Sequence, residues 1–487
     1  MPAAFPGAVG FGAASIGGRG GTIIPVTNLN DSGAGSLRTA LTASGARIVV
    51  FQVAGAISPS TPIIIDNPYI TIAGQTAPGS GIVVRDRIGI RTHNVIMRYL
   101  RFRDDGSGDT SALRFDNGGN LTGAYDVIVD HCSFSWYRDD TLPINPSNVS
   151  GGACYNITVQ NCLFGECPDG SDHEKAMLIG HTAGLGTGLS HIRQLTIYRN
   201  AFISAGERNP NIRARDAQII NNLVYNYQNR IGEIHISRDE TEGSSLDYIN
   251  NYYKRGVESA DRLVLYDPSP DTDADKDTPV ASIYAAGNVG IGLTLPLAAT
   301  DDPWRATYPL IAYHGTWTGQ GAQGGGGTLD SAVHKRTSTL ANQPLHTVPI
   351  LSAVDAVDAI IGDCGANARL AADGSWVANA DNYDAEYIAD YVNDTGPTYP
   401  ISPYNQSITV DSGTAYTDTD GDGMPDEWED LHGFNPNDPS DGSIINPSGY
   451  SNVESFLNGE DDVIPPIEDG KTVWIIPKLT VSLKQTE

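Results

Sequence analysis

Cysteine is scarce, at five in 487 residues, too few for a disulfide scaffold in a chain of this length. Methionine is scarcer still, at four, and charged residues make up only 18%. Basic residues are outnumbered 58 to 30 by acidic ones, for a formal net charge of -28. That field excludes nucleic acid as a natural partner, and any polyanionic substrate would need cations gathered locally to hold it. No apolar run approaches the roughly 18 to 20 residues that span a bilayer, so no membrane partner is expected. The sequence begins Met-Pro-Ala-Ala-Phe-Pro-Gly with no basic and apolar leader, so an export signal is expected to be removed or absent.

What the chain has instead is repetition. Six strand-like runs carry a polar His or Asn followed by small or apolar residues: Val129 to Phe134, Val159 to Phe164, Tyr198 to Phe202, Ile220 to Val224, Ile249 to Tyr253 and Ala286 to Val289. Aligning His131, Asn161, Asn200, Asn222, Asn251 and Asn288 gives steps of 30, 39, 22, 29 and 37 residues. Irregular repeats around a constant strand core describe a solenoid whose loops vary in size on one side. Stacked Asn side chains satisfy the backbone of each bend and one another, so the polar column need not be unpaired inside. The expected fold is all-β, a right-handed parallel β-helix with an elongated side groove suited to a linear polymer. Cys132 and Cys162 directly follow ladder residues and are expected to stack as small buried side chains, a disulfide at Cys162 or Cys167 being the minor alternative.

Ser36 caps a short helix beginning Leu37-Arg-Thr-Ala-Leu, placed to cover the open end of the solenoid. Strands are predicted at Arg47 to Val53, Ile63 to Ile65, Ile70 to Ala73, Ile82 to Arg85 and Val95 to Arg103. Residues 300 to 410 lose the repeat and read as long loops and terminal coils, giving a β-helix domain over 1–410. Residues 411–461 form a separate calcium-binding module: Asp418, Asp420, Asp422, Asp426 and Glu429 fall at positions 1, 3, 5, 9 and 12, with Gly423 at position 6 and the Met424 carbonyl at position 7. That order is the oxygen-ligand spacing of a twelve-residue calcium loop. Helices are predicted to begin at Asp426 and near Tyr450. Residues 462–487 are a Pro-interrupted linker and a strand-like tail of unassigned role.

Chemistry is expected where successive coils carry charge beside the ladder. Asp139 and Asp140 follow the first ladder strand, Lys175 the second, and Arg208 and Arg213 the third. Taken singly, each charge would be satisfied by solvent or an ion pair. Stacking coils about 4.8 Å apart brings them into one patch. A carboxylate pair, a Lys and two Arg in one groove suit an anionic sugar, with calcium bridging acid groups of protein and substrate.

These segments resemble polysaccharide lyase family one pectate lyases, especially bacterial members. The similarity is carried by Ala4 to Gly12, Gly17 to Gly21, Val26 to Arg38, Ile70 to Gly79, Asp130 to Trp136 and Arg208-Asn-Pro210, in order across residues 3 to 290. The C-terminal loop resembles the thrombospondin-type or dockerin-like calcium repeats appended to secreted enzymes. What the resemblance implies is a secreted monomer, extracellular or periplasmic, that uses Ca2+ to cleave de-esterified polygalacturonate by β-elimination. Arg208 would be the base, Lys175 and Arg213 the binders of substrate carboxylates, and Asp139 a calcium ligand. A free guanidine titrates above 12, so deprotonation is rare in water; neighbouring cations would favour it, and an alkaline optimum is implied.

Two positions depart from the family pattern. Ser111 stands where a calcium-ligating Asp is usual, leaving Asp109 to substitute, and Pro143 stands where some relatives carry a second acid. Groove calcium would then fall to Asp139, Asp140 and Asp109. Two other functions fit the same residues: a lyase for another acidic uronate polymer, and a catalytically silent carbohydrate-binding β-helix, which would not need Arg208. A glycosidase needs two carboxylates at a defined separation. Asp139 and Asp140 are adjacent, and on an extended strand they would point to opposite faces.

Overall fold

The computed structural model describes residues 2–104, 111–116, 123–146, 153–167, 175–180, 192–228, 231–234, 244–257, 259, 281–305, 310–311, 331–398 and 408–459. Asp109 and the tail 462–487 lie outside them. Among the described residues, seven coils each contribute one short strand to each of three parallel sheets, and partial coils at the two ends bring the sheets to ten, nine and seven strands. The chain visits them in a constant order. Arg47–Phe51 lies in the first sheet, Gly55–Ile57 in the second, Ile63–Ile65 in the third, and Ile70–Ala73 returns to the first. The fold is a parallel β-helix.

Apolar side chains alternate inward along these strands and stack from coil to coil. Phe102, Phe134, Phe164 and Phe202 form a ring column with centroids 5.0, 4.9 and 4.9 Å apart, close to the spacing of paired strands. The main core continues from Val26 to Ile311, nearly all of it inaccessible to solvent. Helix Leu37–Thr42 covers the first coil, with the Ser36 side chain accepting from the Thr39 N–H. Among the described residues no helix is long and apolar enough to cross a membrane.

The polar ladder is present but sits one residue away from the predicted alignment at its start. Sheet pairing sets Asp130 against Gln160 and Tyr198, and Ser133 against Leu163 and Ala201. Cys132 and Cys162 therefore share the column of Asn200, Asn222, Asn251 and Asn288. His131 and Asn161 belong instead to the preceding bend column, with Arg199, Asn221 and Asn250, all left-handed at φ near +50°. In the column itself the Oδ1 of Asn222 accepts from both the backbone N–H and the Nδ2 of Asn200, and Asn251 and Asn288 repeat the bond. Polarity chose the wrong neighbour in two of six coils because backbone pairing, not side-chain type, sets register. All five thiols are free and buried.

The predicted strand Val95 to Arg103 is two strands, His93–Arg98 and Arg101–Arg103, broken by the left-handed bend at Tyr99. Residues 331–398, expected as loops and terminal coils, form a strap instead. Helices Ala353–Ile361 and Asn382–Asn393 pack Val357, Ile360, Tyr387 and Tyr391 onto Leu163, Ile203, Leu223 and Tyr225 of the second sheet. Buried Arg101 and Arg103 meet Asp381 and Asp384, the closest pair being Arg103 with Asp384 at 2.6 Å. On the first sheet lies the N-terminal segment, where Val9, Phe11 and Gly12 donate to Gln160, Thr196 and Thr158. A Cβ on Gly12 would sit 2.1 Å from the Val127 carbonyl, which is why that run is glycine-rich. Residues 408–459 pack beside it through Met424, Trp428, Val453, Phe456 and Leu457 against Ile48, Val50 and Ala73. Among the described residues, these covers lie on the first and second sheets.

Candidate active site

Three consecutive turns from the second sheet into the third carry the charged residues. Asp139 and Asp140 lie between strands Ser133–Ser135 and Leu142–Ile144, Lys175 just before Met177–Ile179, and Arg208 before Asn211–Ile212. Backbone bonds bind the turns together: Thr141 N–H to Lys175 O at 3.1 Å, Ala176 N–H to Glu207 O at 3.2 Å and Met177 N–H to Arg208 O at 2.9 Å. One Arg208 Nη1 donates to Asp140 Oδ1 at 2.5 Å. Lys175 is buried, and its ammonium is held below the usual lysine range by burial first and by the Arg208 charge second. Burial likewise pushes the Asp140 carboxyl up against the pull of Arg208, with Asp139 adding to the push and Lys175 opposing it. Residues 138–140 are not part of a strand, Arg138 and Asp139 lying in a bend, so strand alternation does not send the two carboxylates to opposite faces, and the charges of both support the Lys175 ammonium.

Arg208 is held at φ +59° ahead of a cis Asn209–Pro210 peptide. Every other non-glycine residue of positive φ among the described residues belongs to one of three repeating bend columns or caps helix Asn382–Asn393. Arg208 belongs to none of them. An isolated left-handed residue costs on the order of 1–3 kcal/mol and is kept where the surroundings over-determine it. Arg213 stands on the same coil, past the strand. Ile212 and Ala214 are in the core, so alternation turns Arg213 to the outer face with Asn211. Next along that face, the Asn211 Nδ2 donates to Glu233 Oε2 at 2.6 Å.

No family model matches the chain. "Probable pectate lyase C" of Aspergillus fumigatus is 31% identical over 476 residues, covering 93% of each chain. The protein of the same name from Aspergillus terreus is 31% identical over 478 residues with the same coverage. The chain belongs to the pectate lyase family. It is a polysaccharide lyase. A crystal structure of a Bacillus pectate lyase in complex with trigalacturonate, at 18% identity and a TM-score of 0.47, covers 74% of this chain and 98% of its own; a likeness of that degree carries no part of the assignment.

In this lyase the structure gathers Asp139, Asp140, Lys175 and Arg208, and sets Arg213 on the outer face of the same coil. Ser111 is buried, and Pro143 lies in strand Leu142–Ile144, paired with Leu178. Sequence reasoning missed Glu207, whose residue bridges Lys175 in parallel and whose charge supports the ammonium. Its only signal was adjacency to Arg208. Missed too was Glu233, which lies one coil further along.

The lyase has a second acidic centre in its C-terminal module. Asp418, Asp420 and Asp422 offer oxygens within 4.8 Å of one another, as do Asp422, Glu429 and Asp441. Burial and mutual repulsion push Asp422 up to about 7 and Glu429 up to about 8. Asp426, predicted as a loop ligand, is turned elsewhere and accepts from the N–H and hydroxyl of Thr419 at 2.8 and 2.7 Å. Asp441, nineteen positions beyond Asp422 in sequence, was not expected there.

Proposed function

We propose that this lyase cleaves de-esterified polygalacturonate by β-elimination, with Arg208 as the base that removes the C5 proton of a uronate. The reading rests most on one observation, the isolated left-handed Arg208 paired with Asp140 and close enough to the buried Lys175 for its charge to act on it. The C5–H electron pair forms the C4–C5 double bond, the C4–O bond breaks, and the departing sugar oxygen takes up a proton. Lys175 and Arg213 would bind substrate carboxylates and stabilise the charge that grows on the uronate as the proton leaves.

Calcium bound here would neutralise the uronate carboxylate and so acidify C5–H. Asp139 and Asp140 fit such an ion as hard oxygen donors, but two carboxylates are fewer than the roughly six to eight oxygens it takes. Substrate carboxylates and Asp109 would supply others. Asp140 is also the partner of Arg208, so a cation drawing Asp140 toward itself would free the guanidinium to face the substrate. The enzyme is read as a secreted monomer.

Ultraviolet absorbance of the conjugated double bond tests the reaction class across a panel of uronate polymers, with and without chelator. Polygalacturonate with calcium is expected to give the fastest rise. A rise on a different uronate polymer alone would replace the substrate, and binding without absorbance change on any of them would make the groove a binding surface.

A further inference from the structure

The C-terminal carboxylates are not arranged as a self-contained linear loop. Asp418 is tied to its own turn, accepting from Gly421 and Gly423 N–H at 2.8 and 3.1 Å, and Asp422 accepts from Met424 N–H at 2.9 Å. Glu429 is fully buried on helix Asp426–His432, yet neither of its carboxylate oxygens has a hydrogen-bond partner. Asp422 is 4% exposed and leaves its Oδ2 unpaired, and Asp420 and Asp441 each leave one oxygen in the same state. Buried carboxylate oxygens aimed at one another with no donor between them are costly unless a cation completes them.

The position of Asp441 is built. A Cβ on Gly442 would lie 2.2 Å from Asp422 Oδ2 and 3.0 Å from the Asp422 carbonyl, so glycine lets the second loop pass close to the first without displacing the Asp422 carboxylate. The Asn452 Nδ2 holds the Asp441 carbonyl at 2.8 Å, and Val453 N–H donates to the Gly442 carbonyl at 3.0 Å. Both belong to helix Asn452–Asn458, which is anchored on the β-helix: Arg19 Nε reaches Glu454 at 3.0 Å, Gln75 Nε2 donates to the Leu457 carbonyl at 3.1 Å, and Arg98 Nη1 reaches Asn458 at 3.3 Å. The acidic centre therefore joins the helix bearing Glu429 to the loop carried by the docked helix.

We propose that Asp418, Asp420, Asp422, Glu429 and Asp441 hold a calcium ion that clasps the two halves of the C-terminal module together and keeps the module docked on the first sheet. Asp441 takes the place that Asp426 would hold in a linear loop. Oxygen-only, carboxylate-rich donors favour a hard cation, and an irregular set of donors drawn from two loops and a helix suits calcium better than the stricter octahedron of magnesium. Without the ion the carboxylates repel one another and the two halves part.

The test is calcium titration of the full chain without substrate, read by calorimetry, thermal unfolding and limited proteolysis. Wild type is expected to melt several degrees higher in calcium than in chelator, and chelated protein to be cut within residues 411–459 before the β-helix is touched. Asp441→Asn should weaken calcium binding roughly tenfold or more, since affinity follows ligand charge, and lose most of the calcium-dependent rise. In chelator it should melt no lower than wild type, because it removes one repelling charge, which separates a lost ion from a misfolded variant. Asp426→Asn and Arg208→Ala should keep the rise. Loss of the rise in Asp426→Asn with Asp441→Asn unaffected, no rise in wild type, or equal protease resistance with and without calcium would overturn the clasp.

Discussion

Arg208 and Asp140 are separated by 68 positions in sequence, yet Nη1 and Oδ1 are 2.5 Å apart. One coil intervenes, and the contact exists because strands Leu142–Ile144, Met177–Ile179 and Asn211–Ile212 stack in register. The pair sets the resting state of the site. A guanidine engaged by a buried carboxylate is oriented, and substrate must compete for it.

Replacing Arg208 with Ala is expected to lower the eliminative rate by about 10²- to 10⁴-fold, the range of a positioned base. Arg208→Lys should recover little, because an ammonium does not reproduce the planar fork. The melting temperature of the Lys variant should change little, since Lys keeps a cation beside Asp140 and disturbs no core contact. Initial rates from the conjugated-bond absorbance, alongside calorimetric melting, check both parts. Near-wild-type turnover in Arg208→Ala would remove this residue from the chemistry.

Asp140→Asn is expected to raise the calcium concentration needed for half-maximal rate by roughly tenfold, with a smaller effect on the rate at saturating calcium. The same change removes the acidic partner of Arg208. Calcium titrations of initial rate at fixed polygalacturonate measure it. An unchanged calcium requirement with a collapsed rate would assign Asp140 to positioning Arg208 alone.

Asn222 sits mid-ladder, accepting from Asn200 and donating to the Ile197 carbonyl at 2.9 Å and to Asn251. Asn222→Ala strands buried donors and acceptors on both neighbouring coils, which costs about 1–3 kcal/mol for each group left unpaired. Denaturant unfolding should register a loss of at least that size. Arg114, on the outer face of a third-sheet strand, is 37% exposed and pairs with Asp116 at 3.3 Å, so Arg114→Ala should cost no more than about 1 kcal/mol.

His131 reports on the strap. Its ring nitrogens lie 2.8 Å from Asp130 and 3.3 Å from Asp363, the latter just past helix Ala353–Ile361. Although burial works against the charged form, the two carboxylates raise its pKa to about 9. A group whose folded pKa lies above its unfolded value stabilises most fully below the unfolded value, near 6.5, and loses that contribution as pH rises to about 9. Stability is thus expected to fall by up to roughly 3 kcal/mol between those limits. His131→Asn should be less stable at neutral pH and flatten that slope. A slope unaltered by the substitution would detach His131 from strap docking.

The β-helix was legible because its cause is local. Alternating apolar residues, Asn at the bends and glycine where chains pass closely recur along the sequence, and each reports its own coil. The end-capping helix at Ser36 and the strands Ile63–Ile65 and Ile70–Ala73 were legible for the same reason. Register was less so: His131 and Asn161 look like ladder residues, and only pairing with the neighbouring coil shows that Cys132 and Cys162 occupy that column. The strap helices were overlooked because they carry no repeat, and what holds them is Arg101, Arg103 and His131, more than two hundred residues away.

By itself, then, the sequence determined a stacked parallel fold and the three turns that carry charge, because strand period and bend chemistry act over a few residues. Tertiary structure alone decided that Arg208 meets Asp140, that Asp426 turns to Thr419, and that Asp441 enters the acidic centre. Those partners are chosen by how coils and loops stack in space. Spacing along the chain carries no trace of it, since each contact depends on backbone pairing between segments that are remote in sequence.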